Sequence, residues 1–361
     1  MIVKTITLHK FRNYDDLTLE FPSGLNVIVG PNGAGKTNIV EAIQYLSLAR
    51  SFRTGNDQEL IKDGEAGASI KAILSDDGPF KKTLQIDFVN GGKKISLNGT
   101  PLKRISELKD VVNVLVFEPK DVLFFNDSPR IRRRYLDTSL SKLTSNYLDY
   151  FSRYEKLLDE RNRLLKLNHP DLLAIDVITK QMITFAKQIS LYRKNFIDSL
   201  NETLPSLMAN LEVKEKGEVK IEYLPFVEVN GEYEQRAIEV YKKSLDNDLR
   251  YRTTGAGIQR EDIVTYFRGK PIDRFGSQGQ KRLVALALKL APYYLTENKE
   301  KRPIVVLDDV LSELDGDHQQ RLIALLKNWT QVFITATTFN SRDVNVYEVT
   351  PTQKIVRRNF L

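Results

Sequence analysis

Apolar and polar positions divide the chain into three textures. At the start, Ile2-Val3-Lys4-Thr5-Ile6-Thr7-Leu8 alternates as a half-buried strand does. Residues 17–21 repeat the pattern beyond the turn-forming stretch Phe11 to Asp16, so two strands joined by a turn are expected. Leu25-Asn26-Val27-Ile28-Val29 is a short apolar run, the mark of a buried strand. Ile39, Ile43 and Leu46 then fall on one face of a helix. Residues 69–75, 83–89 and 94–97 alternate again, with Asp76-Asp77-Gly78-Pro79 and Asn90-Gly91-Gly92 as the turns between them. They predict an antiparallel patch, followed by a buried strand at Val111 to Phe117 that closes at Glu118-Pro119.

Near Pro129 the texture becomes helical. Leu140, Leu143, Tyr147, Tyr150, Tyr154, Leu157 and Leu164 keep an alternating three-and-four spacing, with Arg161 in the one remaining slot. Asn168-His169-Pro170-Asp171 breaks that helix, and a second seam runs through Ile175, Ile178, Met182, Phe185, Ile189, Tyr192 and Phe196 to a stop at Pro205. Two such seams predict an antiparallel helical hairpin. Lys216-Gly217 is expected to open a strand from Val219 to Val229, and a polar segment with Asp246, Asn247 and Asp248 leads back.

From Lys270 the third texture begins. Leu283, Val284, Leu286, Leu288 and Leu290 mark an apolar helix. Pro303 to Leu307 is a continuous apolar run closed by Asp308-Asp309; a helix around Leu322, Leu325 and Leu326 and a strand at Val332 to Thr335 follow. Continuous runs of this kind belong to a parallel sheet covered on both faces. The expected fold class is therefore α/β, with one domain split between residues 1–128 and 262–361 and a helical insertion at 129–261.

At 361 residues the chain exceeds a typical single core, which agrees with that division. Hydrophobic residues at 41% and charged residues at 28% fit a globular protein. The net charge of +7 gives a long-range attraction for polyanions, which by itself does not separate nucleic-acid binding from a generic basic surface. The absence of Cys excludes disulfides and thiolate metal sites, and three His leave little room for a His-built metal site or triad. The N-terminus lacks a secretory apolar core and no run reaches membrane-spanning length, so a cytoplasmic protein without a membrane partner is expected.

The chemistry centres on Gly30-Pro31-Asn32-Gly33-Ala34-Gly35-Lys36-Thr37, which meets every fixed position of the phosphate-binding pattern G-x-x-x-x-G-K-[ST] between a strand and a helix. Glycines let backbone N–H groups curl round phosphates, and the helix start favours an anion. Lys36 is placed for the β- and γ-phosphates and Thr37 for Mg²⁺. Asp308 closes an apolar strand, where a Walker B carboxylate holds Mg²⁺, and Asp309 is placed to orient an attacking water. Ser277-x-Gly279-Gln280 at a helix start matches the signature of ABC-type ATPases, in which it caps the ATP of a partner protomer. Alone that pattern is an ordinary helix cap. Its setting, with Ser312-Glu313-Leu314-Asp315 following as a D-loop, gives it weight.

The chain resembles the RecF family of bacterial DNA repair ATPases, relatives of SMC head domains. The residues that carry this are Phe11-Arg12-Asn13-Tyr14, Gly30 to Asn38, Ser51-Phe52-Arg53-Thr54, Phe117 to Asp121, Arg132 to Asp137, Phe275 to Arg282 and Leu307 to Asp315. The resemblance implies an ABC-type P-loop ATPase head with an antiparallel β patch and an inserted helical subdomain. It implies ATP and Mg²⁺ as cofactors, with Arg12, Asn38 and Asp315 joining the P-loop and signature at the nucleotide. It also implies an ATP-dependent homodimer on double-stranded or gapped DNA and a role in recombinational repair and RecA loading with RecR and RecO; Asp309, one methylene shorter than the Glu of the wider ABC class, leads to the expectation of slow hydrolysis. Arg130, Arg132, Arg133 and Arg134, with Arg153, Lys156, Arg161, Arg163 and Lys166 beyond them, form the expected DNA phosphate track.

This chain departs from the wider class in having Asp309 where Glu is usual, Ala336-Thr337-Thr338 where a switch His often stands, and no Gln near residues 117–121. Thr337 and Glu118 are the substitutes at hand. The family pattern has His at the positions of Phe52 and Gln259, so neither is given a catalytic role. The rival readings are the ATP-binding subunit of an ABC transporter, against which the helical insertion and basic charge stand, and a small-molecule P-loop kinase, which needs no signature motif.

Overall fold

The computed structural model describes residues 1–75, 81–89, 91–212, 217–296, 301–339 and 343–358. The expected turn at Asp76 to Pro79, Asn90 in the next turn, and Lys216 lie outside the described residues. The chain divides into two compact units, one made of Met1–Asp121, Ala209–Glu215 and Lys289–Leu361, the other of Val122–Met208 and Lys216–Leu288. Residues 262–288, grouped by sequence with the ATPase head, thus cluster with the helical unit.

The first unit begins with β1 (Ile2–Phe11) and β2 (Tyr14–Glu20), then β3 (Gly24–Val29), α1 (Lys36–Leu48), β4 (Ala68–Ser75), β5 (Lys81–Val89), β6 (Gly92–Leu97), the short β7 (Thr100–Pro101) and β8 (Val114–Phe117). The β1–β2 turn is tighter than the sequence implied, because Arg12 adopts a left-handed conformation, φ 55°. In the second unit α2 (Pro129–Leu143), α3 (Ser145–Leu165) and α4 (Leu172–Leu211) precede β9 (Val219–Leu224), α5 (Tyr233–Tyr251), β10 (Asp262–Phe267), β11 (Lys270–Pro271), α6 (Ile272–Phe275) and α7 (Gln278–Leu290). The chain returns to the first unit with β12 (Ile304–Leu307), α8 (Gly316–Leu326), β13 (Gln331–Ala336), β14 (Asn345–Val349) and β15 (Ile355–Arg358).

Two sheets build the first unit. One is antiparallel, in the order β2-β1-β4-β5-β6-β7. The other has the order β15-β14-β3-β13-β12-β8 and is parallel except for β15. β12 and β13 are buried at every position, which is why they read as unbroken apolar runs. Ile39, Val40, Ile43, Tyr45 and Leu46 of α1 are fully buried in one core with Ile6 and Leu8 of β1 and Val306 and Phe333 of the parallel sheet. Phe21 meets the edges of Phe333 and Tyr347, at ring-centroid distances of 4.8 and 5.0 Å.

The second unit corrects several expectations. The first helical seam is broken at Thr144, whose backbone is extended (φ −145°, ψ 133°). The second does not stop at Pro205 but continues to Leu211. An interior proline costs about 3 kcal/mol. Leu204, Leu207 and Met208 around it are at most 2% exposed, and burying each such side chain is worth about 1.5–3 kcal/mol, so the helix persists. The polar segment around Asp246 to Asp248 is the helix α5, with Tyr233, Ala237, Tyr241 and Asp248 on its buried face. The strand expected as far as Val229 ends at Leu224.

Candidate functional site

In the first unit, β3 delivers the chain into the glycine-rich loop and α1 leaves it at Lys36. Two glycines there are sterically required. A Cβ on Gly30 would lie 2.3 Å from the Val349 carbonyl oxygen, and one on Gly35 (φ 105°) would lie 2.7 Å from both the Asn13 amide and the Tyr14 hydroxyl. Pro31, Asn32 and Gly33 are exposed at the loop crest, whereas Ala34 is buried beneath it. Lys36 curls back over the loop, and its ammonium donates to the carbonyls of Gly30 (2.8 Å) and Pro31 (2.9 Å). Burial lowers its pKa, opposed by the nearby carboxylates of Asp309 and Asp308.

The Walker B strand β12 ends against this loop. Thr37 Oγ1 donates to Asp308 Oδ1 at 3.0 Å, and Thr335 Oγ1, from the end of β13, donates to the same oxygen at 2.7 Å. Burial raises the Asp308 pKa, while those two hydroxyls act against it. Asp309 takes a left-handed backbone (φ 50°), and its N–H donates to Thr335 Oγ1 at 2.9 Å. Its Oδ1 is shielded from solvent without a hydrogen-bond partner among the described residues. Asp315 caps α8, accepting from the His318 N–H at 3.0 Å, the main reason its pKa is lowered; Ser312 Oγ donates to the Asp309 carbonyl at 2.8 Å.

Arg12 lies beside the loop with each of its three guanidinium nitrogens bonded. Its guanidinium makes two bonds to the fully buried Glu41 (3.0 and 2.7 Å) and one to the Glu59 carbonyl (2.7 Å). Arg53 joins Glu41 at 3.2 Å and donates to Asn38 Oδ1 at 2.8 Å, while the Asn38 amide donates to Asn13 at 2.7 Å. Glu41 was not singled out by sequence, since one acid on a helix carries no pattern. Thr335 was placed in a strand without a role. The cue for it was a hydroxyl residue within an otherwise apolar run. Glu118 pairs with Lys120 at 2.9 Å, and its pKa is raised by burial; Thr337 is exposed.

The signature residues belong to the second unit. Ser277 Oγ accepts from the Gln280 N–H at 3.3 Å and Gln280 Oε1 accepts from the Ser277 N–H at 2.9 Å, a reciprocal capping box at the start of α7. Ser277, Gln278 and Gly279 are exposed, and a Cβ on Gly279 would touch nothing within 4 Å.

The arginine track separates into two kinds of residue. Arg130 and Arg134 are exposed. Arg132 instead makes a bidentate pair with Asp262, both bonds 2.7 Å, and Arg133 donates to the Glu261 carbonyl at 2.8 Å. Arg161 corrects its assignment to the phosphate track. It is 1% exposed, donates to Asp248 (2.8 Å), Thr254 (2.7 Å) and Thr179 (2.8 Å), and lies over the Tyr241 ring. A charge in an apolar seam is tolerated only with such partners.

A P-loop after β3 and a Walker B carboxylate after β12, on strands separated by β13 in a largely parallel sheet, an antiparallel sheet in the same unit and an interrupting helical unit define an ATPase head of the ABC and SMC type. The RecF/RecN/SMC N terminal domain family matches residues 2–357. The DNA replication and repair protein RecF of Halalkalibacterium halodurans is 36% identical, over 97% of this chain and 98% of that one. RecF of Clostridium acetobutylicum is 35% identical, again over 97% and 98%. The chain belongs to the RecF family. Among solved structures, the recombination mediator protein RecF-ATP of the RecFOR pathway has a TM-score of 0.88 at 30% identity, covering 99% of both chains. An SMC head bound to the C-winged helix domain of ScpA, at TM-score 0.59 and 17% identity, shares the fold. Nothing in these similarities favours the transporter alternative. No helix among the described residues is long and apolar enough to cross a membrane.

Proposed function

We propose that this protein is an ATP-gated DNA-binding repair factor. Two copies close on two ATP molecules, hold double-stranded or gapped DNA, and open on slow hydrolysis. The observation that carries the reading is the convergence of Thr37 on Asp308 beside the P-loop lysine, while the exposed signature Ser277 and Gly279 stand at the start of α7. The backbone of Gly30 to Thr37 and the start of α1 receive the triphosphate, and Lys36 turns from the loop carbonyls to its β- and γ-oxygens. Gly279 and Gln280 complete the anion site around Ser277 in the partner copy. Arg12, Asn38 and Asp315 border the nucleotide, with Glu41 fixing the direction of Arg12.

A hard oxygen donor set, the Thr37 hydroxyl and the Asp308 carboxylate, suits Mg²⁺, which supplies charge neutralisation on the phosphates. The Thr37 hydroxyl and the Asp308 carboxylate would hold the ion. Asp309, with its unpartnered Oδ1, orients the attacking water. Its side chain is one methylene shorter than Glu, which supports slow turnover. The family and the pathway named for the solved relative support recombinational repair, RecA loading, RecR and RecO as partners, and a cytoplasmic setting.

The test is light scattering together with duplex and gapped DNA titrations, with and without ATP. ATP should produce a dimer that retains DNA. Lys36→Met should weaken ATP binding roughly 10- to 100-fold through loss of a charge-assisted contact, and abolish both responses. Unchanged ATP affinity in this variant removes the nucleotide assignment.

The basic surface has its own test. Arg130→Glu with Arg134→Glu should weaken binding of every DNA sequence alike, each lost phosphate contact flattening the log–log salt dependence by about 0.9. Arg132→Glu should instead lower the melting temperature, because it sets Asp262 against a second carboxylate. An unaltered salt slope in the Arg130/Arg134 variant places the DNA elsewhere.

A further inference from the structure

Thr335 is 1% exposed at the end of a central strand buried at all six positions. A hydroxyl there is costly unless both its hydrogen and its lone pairs are used. Both are. Its single hydrogen goes to Asp308 Oδ1 (2.7 Å), so it can only accept from the Asp309 N–H (2.9 Å). The Asp309 N–H belongs to a residue held in the left-handed region, φ 50°, which a non-glycine residue adopts rarely. On the other side Asp308 Oδ1 takes the Thr37 hydroxyl, also as a hydrogen acceptor (3.0 Å). A directed chain therefore runs from the Asp309 N–H through Thr335 to Asp308, and meets the hydroxyl of the P-loop threonine there. One side chain fixes the rotamer of the first carboxylate and the backbone turn that aims the second.

We propose that Thr335 is the positioning residue of this site, setting Asp308 toward the cation and Asp309 toward the water through one hydroxyl. The inference rests on the nucleotide reading above. It goes beyond that reading in giving a role to a strand-end residue two positions before Thr337, the one that sequence had offered as a phosphate sensor. A group acting through a metal ligand typically alters metal affinity or activity by roughly 10- to 100-fold when removed. Thr335 acts through a ligand and a water-orienting group at once, so both quantities should move.

The experiment compares Thr335→Val, Thr335→Ala and Thr335→Ser in the full chain. The readouts are the Mg²⁺ concentration that half-saturates binding of a fluorescent ATP analogue, the analogue's affinity in EDTA, kcat, KM and the thermal midpoint. Val and Ala should raise the half-saturating Mg²⁺ and lower kcat, each by roughly tenfold or more, with EDTA affinity unchanged. Ser, which keeps the hydroxyl, should recover both. If Val fails to fold, Ala with Ser decides the question. Wild-type Mg²⁺ dependence in Val or Ala, or a Ser variant as impaired as they are, overturns the proposal. Asp308→Asn is measured alongside. If it too leaves Mg²⁺ dependence unchanged, the underlying nucleotide reading fails. If Asp308→Asn is impaired and Thr335→Val is not, only the role of Thr335 fails.

Discussion

Ser277→Arg is expected to bind ATP with near-normal affinity yet fail to dimerise, hydrolyse ATP or retain DNA. The serine is exposed at the N-terminus of α7, a helix of 13 residues, where the helix start favours an anion and where the proposed function places the partner's nucleotide. The P-loop, to which the proposed function assigns the protein's own nucleotide, belongs to the other compact unit. An arginine in place of Ser277 adds bulk and puts a positive charge at the helix start, where the dipole disfavours it. Removing one preorganised donor from a reacting oxyanion costs roughly 10²–10³ in kcat, and loss of the dimer adds to that.

Mixing gives the sharper test. With Lys36→Met chains, the ATP of a heterodimer sits on the Ser277→Arg chain and faces the intact signature of its partner, so weak ATPase activity should return. A mixture that forms heterodimers but stays inactive means that both sites must be filled or that Ser277 does not act across the dimer. ATP-driven dimerisation of Ser277→Arg alone refutes the clamp.

Arg161→Leu is expected to destabilise the second unit by about 3–5 kcal/mol, because it leaves Asp248 charged and buried without its partner. Both side chains are 1% exposed. Replacing the pair together, Arg161→Leu with Asp248→Leu, should recover most of the loss, since apolar residues of similar volume often match a buried ion pair. Helical circular dichroism in denaturant is the measurement of choice, because the single tryptophan, Trp329, lies in the first unit. A double variant as unstable as the single one shows that packing, not the buried charge, sets the cost. At concentrations where Arg161→Leu remains folded, its DNA salt slope should equal that of the wild type. A flattened slope returns Arg161 to the phosphate track.

Much of the fold and part of the site were legible in the sequence. The alternation of β1, β4 and β5 and the apolar runs of β3, β12 and β13 follow from which faces are buried, and burial leaves its period in neighbouring residues. The glycine-rich loop was legible because its backbone path needs glycines at fixed spacing. Helix ends were less so. Pro205 forbids a hydrogen bond locally, but the burial of Leu204, Leu207 and Met208 that outweighs it is a property of the folded chain.

What only the tertiary structure decided was the meaning of polar groups in buried places. Arg161 meets Asp248 87 positions away and Arg132 meets Asp262 130 positions away, so nothing near either arginine marks it as structural rather than solvent-facing. Thr335 reaches Asp308 across 27 positions, and Thr37 reaches the same oxygen across 271. Local periodicity reports how deep a position lies. Whether a charge or hydroxyl there is tolerated, and what it holds in place, depends on the partner that folding brings to it, because the cost of burying such a group is offset only by a hydrogen bond made at the right place in space.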